Sequence, residues 1–327
     1  MRRRRLVPAA ALVAVLVLAG GACSSDGGDA SGSTTTAGGD ITSTMVGGGG
    51  GSATTAAGSA GGSSIVQAAC DGLLESPETV RLDVPPLVEA SGLAVSRTNE
   101  GVLWAHNDSG DTARVFAVGA DGQRVDTFHL EGAQAIDWED MAIGPTVDDA
   151  GQPIDDQDAL YVADIGDNDA VRQNVTLYRV PEPNLAVESY SAPSQLGPVE
   201  AYPFQYPDGP RDAEALFIDR TDGSFYVIEK SLTGGAVGVY RGSVAGWDAA
   251  PAVPVTLERV GTIRPGRTIA ASVTGADMTP AGDAIAVRTY GGVRLFPRPE
   301  GTSVIDALAA EPCRGPVPVE ALSLIHI

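Results

Sequence analysis

The sequence predicts an all-β domain folded as a β-propeller, and two observations lead to this prediction. The region from about residue 65 to 321 is rich in glycine and proline and has no long apolar pattern with the helical period of about 3.6 residues. Within it, three short apolar segments recur in the same order four times. Such a repeat is typical of propeller blades, which are small antiparallel sheets stacked around a channel. An irregular β-sandwich is the alternative, but it gives no reason for the repeat.

Each repeat begins with a predicted strand that opens on small or acidic residues: Ser91–Val95, Glu139–Ile143, Glu214–Ile218 and Ala276–Thr279. A second strand follows a turn: Leu103–His106, Leu160–Ala163, Phe225–Ile228 and Ile285–Val287. A third strand ends the unit: Arg114–Val118, Thr176–Val180, Val237–Arg241 and Val293–Phe296. Turn-forming residues such as Asp121-Gly122 and Asp222-Gly223 separate the strands. We expect four readable blades and a truncated fifth that begins near Pro318, so that the full protein has five or six.

The first 22 residues have the layout of a secretory signal peptide. Arg2 to Arg5 form a positive segment, Leu6 to Leu18 form an apolar core, and small residues precede Cys23. The apolar core is short for a transmembrane helix, which needs about 20 residues. We therefore predict that the protein is exported to an extracytoplasmic location.

Cys23, followed by Ser24-Ser25-Asp26, resembles the lipidated cysteine of bacterial lipoproteins. That pattern has leucine three residues before the cysteine, where this chain has Gly20, and Gly20 with Ala22 also suits ordinary signal peptidase. The sequence favours a lipid anchor on the cell membrane, with free secretion as the alternative. Residues 23–64 consist mainly of Gly, Ser, Thr and Ala, which predicts a disordered tether because such a segment buries little apolar surface.

The last six residues, 322–327, match the translation of a sequencing adapter. We expect them to be an artefact that is foreign to the natural protein, and we therefore set them apart from the fold. The predicted propeller domain then spans residues 65–321 and lacks its C-terminal strands.

The formal net charge of −21 becomes about −25 once Arg2 to Arg5 are removed. A surface this acidic repels nucleic acid and suits divalent cations. We expect a monomer whose partner is an unidentified small molecule or surface ligand.

Cys70 and Cys313 lie at the two ends of the predicted domain. In an oxidising compartment two such cysteines are expected to form a disulfide that joins these ends, which suits a closed propeller. The alternative is that each cysteine is buried singly.

Several motifs carry a resemblance to known proteins: Asp137-Trp-Glu-Asp-Met-Ala142, Tyr161-Val-Ala-Asp-Ile-Gly-Asp-Asn168, Leu177-Tyr-Arg-Val-Pro-Glu-Pro183 and Asp212-Ala-Glu-Ala-Leu216. They resemble a group of uncharacterised bacterial propeller proteins and, more distantly, the phytase-like propellers. The resemblance implies a propeller fold and Ca²⁺ as a cofactor, because phytase-like propellers bind calcium at comparable acidic positions. It says little about activity, since propellers serve many functions.

The candidate site residues fall on the strands expected to line the channel. Acidic residues on first strands are Glu139, Asp140, Glu214 and Asp277, and the matching positions on second strands are Asn107, Asp164, Glu229 and Arg288. Two loops after second strands share the motif Asp-x-Gly-Asp. Oxygen ligands at such turns suit Ca²⁺, so the candidate metal ligands are Asp108, Asp111, Asp140, Asp164 and Asp167. The same motif is also ordinary turn chemistry, in which Asp satisfies backbone N–H groups.

The sequence leaves three functions open. The first is a tethered binding module with an unknown ligand. The second is a Ca²⁺-dependent phosphoesterase of phytase-like type, in which Lys230, Arg172 or Arg288 would steady the anion. Its catalytic candidates are Glu139, Glu214, Glu229, Lys230 and Arg288. The third is a structural envelope protein. A multi-histidine metal centre is disfavoured because only His106 and His129 precede the adapter segment.

Overall fold

A computed structural model describes residues 12–13, 62–73, 80–148, 150, 152–186, 194–245 and 253–315. Cys23, the tether up to residue 61, Pro318 and residues 322–327 lie outside the described residues, as does the predicted signal peptide apart from strand β1 (Leu12–Val13). Strand β1 pairs with β2 (Val80–Arg81). Among the helices described, none has the length and apolar character that a membrane crossing requires.

Four sheets form a four-bladed β-propeller, which confirms the predicted fold class. The innermost strand of each blade, in chain order, is β3 (Ala90–Val95), β7 (Trp138–Val147), β12 (Ala213–Ile218) or β17 (Val273–Met278). The second strand is β4 (Val102–Asn107), β8 (Pro153–Asp164), β13 (Ser224–Glu229) or β18 (Ala284–Thr289). The third is β5 (Arg114–Gly119), β9 (Val175–Pro181), β14 (Gly235–Ser243) or β19 (Gly292–Pro297). All twelve predicted strands overlap these elements.

The outer strands were not predicted. A fourth strand closes each blade: β6 (Arg124–Leu130), β11 (Glu200–Gln205), β16 (Glu258–Gly266) and β20 (Cys313–Arg314). Two short segments of the connecting chain, β10 (Ser194–Leu196) and β15 (Val255–Thr256), add in parallel to the edges of β6 and β11. They cover edges that otherwise expose unpaired backbone N–H and C=O groups.

The hydrophobic core consists of layers between consecutive blades. Trp104 and Phe128 of blade 1 pack with Trp138 and Leu160 of blade 2. Equivalent layers join blades 2 and 3 around Tyr161, Phe204 and Phe225, and blades 3 and 4 around Phe217, Ile285 and Phe296. These layers stack consecutive blades face to face, and the burial of apolar surface between them stabilises the domain.

Polar clamps reinforce these layers at the end of the channel where the first strands finish, here called the lower face. Glu182 of blade 2 accepts hydrogen bonds from Trp104 Nε1 (2.7 Å) and Thr98 N (3.1 Å) of blade 1. Arg298 of blade 4 pairs with the buried Asp219 of blade 3 at 3.0 Å. Each clamp satisfies a buried charge with a partner from the next blade, as burial of a charge requires.

Short helices accompany the blades. Helix α1 (Gly62–Cys70) contacts β19 and β20, and α2 (Val304–Ala309) packs beside β16 and β19. A single 3₁₀ turn, Ile269–Ala271, precedes β17. Ser303 caps α2 by accepting a hydrogen bond from Asp306 N (3.1 Å), the usual role of serine at that position.

The predicted disulfide between Cys70 and Cys313 is present and ties α1 to β20, with the two Cα atoms 4.9 Å apart. Its 243-residue separation spans all four blades. A disulfide is compatible with an extracytoplasmic location.

Replacing both cysteines by serine should lower the free energy of unfolding by about 2–5 kcal/mol, because the long loop is no longer closed in the unfolded chain. Thermal melting followed by circular dichroism measures the loss. Dithiothreitol should lower the melting temperature of the wild type and leave that of the double variant unchanged. An equal effect of reductant on both proteins would contradict the assignment.

Candidate binding site at the upper face

The upper face is the end of the channel at which the first strands begin and the second strands end. The register places one such pair in every blade: Ala90 with Asn107, Trp138 with Asp164, Ala213 with Glu229, and Val273 with Thr289. The matching position in blade 4 is therefore Thr289, and the prediction of Arg288 was wrong by one residue. Side chains alternate between the two faces of a strand, so a slip of one residue turns Arg288 to the opposite face.

All four first strands carry a β-bulge directly after this pair. The register shifts occur between Ala90 and Leu93 and at the equivalent points of the other blades. Bulges re-aim side chains at the rims of barrels and next to functional sites. The residues at the bulge closest to the channel mouth are Ser91, Glu139, Glu214 and Thr274.

Three carboxylates gather at this mouth. One oxygen each of Asp108, Asp137 and Glu139 lies within 4.8 Å of the others. Asp108 follows β4 of blade 1, Asp137 precedes β7 of blade 2, and Ser91 Oγ links these blades by donating to Glu139 O (2.6 Å). The cluster thus sits at the junction of blades 1 and 2.

Gly166 leaves room for the cluster. A Cβ atom at this position would lie well inside van der Waals contact with Glu139 Oε1 and Asp137 Oδ2. The backbone of the β8–β9 loop approaches the two carboxylates closely, and Gly166 N donates to Asp137 O (3.1 Å). Only glycine permits that approach.

Burial is the largest influence on the pKa values of the cluster, and repulsion between like charges adds to it. Burial and, after it, the negative charges of Asp108, Asp164 and Asp212 together raise the pKa of Asp137 to about 6, against the opposing charge of Arg172. Burial also raises the pKa of Glu139 well above its usual range, with further increases from Asp108 and Asp137 and an opposing effect of Lys230. Like charges at short range disfavour the ionised forms, so the site favours a bound positive charge.

The structure places the five predicted metal ligands in different settings. Asp108 belongs to the cluster. Asp111 is paired with Arg114 at 2.8 Å, and Asp164 is paired with Arg172 at 2.8 Å while accepting from Asp137 N (3.1 Å). Asp167 accepts from the backbone N–H groups of residues 171 and 172 (2.9 and 2.8 Å). The contacts of Asp167 are the turn chemistry that was the alternative for the Asp-x-Gly-Asp loops, whereas Asp111 and Asp164 pair with arginine side chains.

Asp140, the fifth predicted ligand, lies deeper in the channel. Its carboxylate accepts hydrogen bonds from Met141 N (2.9 Å), Leu216 N (2.8 Å) and Ala276 N (3.1 Å), which belong to three different blades. Burial raises its pKa well above the usual value, and the three N–H donors oppose that shift. Asp140 therefore acts as an internal acceptor for the backbone.

Of the catalytic candidates, only Glu139 joins the cluster. Glu214 pairs with Lys230, and the Lys230 ammonium also lies 6.0 Å from the centre of the Tyr290 ring. Glu229 accepts from Gly238 N (2.9 Å) within its own blade. Arg288 lies on β18 opposite Gly275. The predicted channel acid Asp277 has its pKa raised by burial and lies near the lower end of β17.

Sequence reasoning missed Asp137 as a site residue. A signal was available, because the pattern Asp-x-Glu occurs at the start of two first strands, at Asp137 and Glu139 and at Asp212 and Glu214. Asp212 Oδ1 accepts from Asp167 N (3.1 Å), and burial raises the pKa of Asp212. The repeated pattern thus marks an equivalent acidic pair in blades 2 and 3.

Fold and site together define the class of the protein, a β-propeller with an acidic channel mouth. Beyond that class, the sequence matches no protein-family model and no curated protein. The phytase-like and lipoprotein resemblances therefore stay predictions from motifs.

Solved structures similar to the chain include a nidogen/laminin complex (9% identity, TM-score 0.38), the Cps50 (Swd1) β-propeller domain of Myceliophteria thermophila (12%, 0.33) and Kuenenia stuttgartiensis hydrazine synthase (11%, 0.35). The matches cover 68%, 66% and 72% of this chain. They span 64%, 60% and 64% of those chains, so this chain corresponds to less than two thirds of each.

Asp140→Asn should destabilise the domain by about 1–3 kcal/mol. Three backbone N–H groups donate to the two carboxylate oxygens of Asp140, and the amide of asparagine has only one oxygen to accept them. Chemical denaturation in urea measures this change. Asp111→Asn is the matched control, since Asp111 is more exposed and its partners can turn to water. A loss no greater for Asp140→Asn than for the control would contradict the role of Asp140 as an internal acceptor.

Stability should fall as pH rises from about 4 through 6 at low salt without divalent cations. Asp137 has a folded pKa above its unfolded value, so the folded state binds more protons in this window and loses that stabilisation as the pH increases. Asp137→Asn should raise the melting temperature at pH 7.5 and flatten the profile. A melting temperature that is unchanged or lower in the variant at pH 7.5 would show that the carboxylates do not repel one another.

Proposed function

We propose that this protein is an exported binding module that takes a positively charged ligand at the upper mouth of its channel, with Ca²⁺ as the simplest ligand of this kind. The observation that carries the proposal is the cluster of Asp108, Asp137 and Glu139, whose oxygens lie within 4.8 Å of one another. Export and anchoring through Cys23 are part of the proposal and rest on the amino-acid sequence.

The residues present fit a hard divalent cation. Carboxylate oxygens are the ligands that Ca²⁺ prefers, and Gly166 keeps a side chain out of the space beside two of them. A bound cation would offset the repulsion that, after burial, raises the pKa of Asp137 and Glu139. In this arrangement Asp108, Asp137 and Glu139 would hold the ion, while Asp164 and Asp167 shape the loop that carries Gly166.

A phosphoesterase needs cationic side chains to hold the phosphate beside the metal. Lys230 is paired with Glu214, and Arg172 is paired with Asp164 and donates to Gly166 O (2.7 Å). Both cations are thus engaged with the loops of the upper face. This arrangement favours a binding module over the phosphoesterase.

Millimolar Ca²⁺ should raise the melting temperature relative to EDTA at matched ionic strength. Mass action gives a stabilisation of about 2.7 kcal/mol at a hundredfold excess over the dissociation constant. Asp137→Asn should remove most of this rise, and isothermal titration calorimetry should show weaker Ca²⁺ binding. Sodium chloride serves as the ionic control, because a strongly acidic chain also gains from screening.

Asp111→Asn removes a carboxylate of the same face that pairs with Arg114 and is the matched control for location. It should leave the response to Ca²⁺ intact. If Asp111→Asn reduces the Ca²⁺-induced rise in melting temperature as much as Asp137→Asn does, the ion does not bind at the proposed cluster. Equal melting temperatures in Ca²⁺ and in matched sodium chloride would overturn the cation site.

A further inference from the structure

Exposed apolar side chains occur at the same end of the blades as the acidic mouth. Five of the nine large hydrophobic residues that are exposed in the described part of the chain lie in loops of the upper face, with 48–66% of each exposed. They come from all four blades and are called the apolar rim: Val88, Ile136, Val171, Leu232 and Ile269. These exposed apolar side chains share the upper face with the carboxylate cluster, so a ligand of that face has apolar groups available to it.

Hydrogen bonds fix these loops at the mouth. Ile136 N donates to Asp164 Oδ2 (3.3 Å), and Val171 N donates to Asp167 Oδ1 (2.9 Å). The loops that carry Leu232 and Ile269 are joined by a hydrogen bond from Ser272 Oγ to Ser231 O (2.9 Å). The loops of the rim therefore need no folding on binding, which lowers the entropic cost of association.

We infer that the ligand of the upper face is a segment of a protein or peptide in which a lysine or arginine is flanked by large apolar residues. This inference rests on the proposed function and names the ligand class. The cationic tip would reach the carboxylates of Asp108, Asp137 and Glu139, and the apolar neighbours would pack on the apolar rim. A lysine suits such a site because an apolar stem carries its charge.

The two parts of the surface select this ligand together. A metal ion alone would contact only the carboxylates and would leave the apolar rim exposed. An anionic lipid surface would gain from the apolar rim but would be repelled by the acidic centre. A cationic segment with apolar flanks satisfies both parts, and its positive charge complements a chain with a net charge of −21.

The test uses the full exported chain and a labelled probe peptide, Gly-Ser-Leu-Ile-Lys-Ile-Leu-Ser-Gly, with binding followed by fluorescence anisotropy. Replacing the central lysine of the probe by glutamine, or its four apolar residues by serine, should weaken binding at least tenfold. Ca²⁺ should release the bound probe, because both compete for the same carboxylates.

Variants of the protein separate the two parts of the surface. Asp137→Asn should weaken binding of the lysine probe at least tenfold and have little effect on the glutamine probe. The double variant Leu232→Ser with Ile269→Ser should weaken binding at least fivefold without changing the response to Ca²⁺. Matched controls away from the upper face are Val125→Ser with Val253→Ser for the rim and Glu100→Gln for the charge, and each should change binding less than twofold.

The outcomes distinguish this inference from the proposed function. Ca²⁺ stabilisation that depends on Asp137, together with no binding of the probe at millimolar concentration, would overturn the peptide ligand and leave the cation site standing. Probe binding that the rim variants do not weaken, or that the glutamine probe matches, would also overturn it. If the wild-type protein responds neither to Ca²⁺ nor to the probe, both the cation site and the peptide ligand are overturned.

Discussion

At the centre of the propeller, Asp140 accepts hydrogen bonds from backbone N–H groups of three blades. First strands have no neighbour on their channel side, so their bulged N–H groups need another acceptor, and an unsatisfied buried N–H costs about as much as a lost hydrogen bond. One carboxylate meets this demand for blades 2, 3 and 4 through Met141, Leu216 and Ala276. The channel end of the blades is thereby held in one relative position, on which the geometry of the mouth above it depends.

The same arrangement explains why acidic residues accumulate at the mouth. A bulge aims the residue before Asp140, Glu139, upward, and the start of the strand brings Asp137 beside it. Asp164 and Asp167 are stabilised by Arg172 and by backbone donors, whereas burial and neighbouring carboxylates raise the pKa of Asp137 and Glu139. The chain thus contains a locally unfavourable pair beside well-satisfied ones, a combination more typical of functional sites than of structural turns.

The sequence predicted those features that leave a local pattern in the chain, and it missed those that depend on how the blades pack. The three inner strands of each blade were found because their apolar runs repeat, whereas β20 has only two residues, Cys313 and Arg314, and β10 and β15 pair through edges that sequence does not mark. The Asp-x-Gly-Asp loops pointed to metal ligands, yet Asp111, Asp164 and Asp167 bind protein groups at close range. Whether a carboxylate faces a partner or another carboxylate is decided by how the blades stack, which no local motif records.

The two ends of the channel differ in how their charges are compensated, so the upper and lower faces are chemically distinct. At the lower face Glu182 accepts hydrogen bonds from five donor groups and Asp219 pairs with Arg298, so charge there serves to join blades. At the upper face Asp137 and Glu139 repel each other, and exposed apolar residues lie in segments of the same face. Both features cost stability or solubility in the free protein, and a bound partner would offset them. The proposed binding function therefore uses the upper face, while the contacts of the lower face join the blades that carry it.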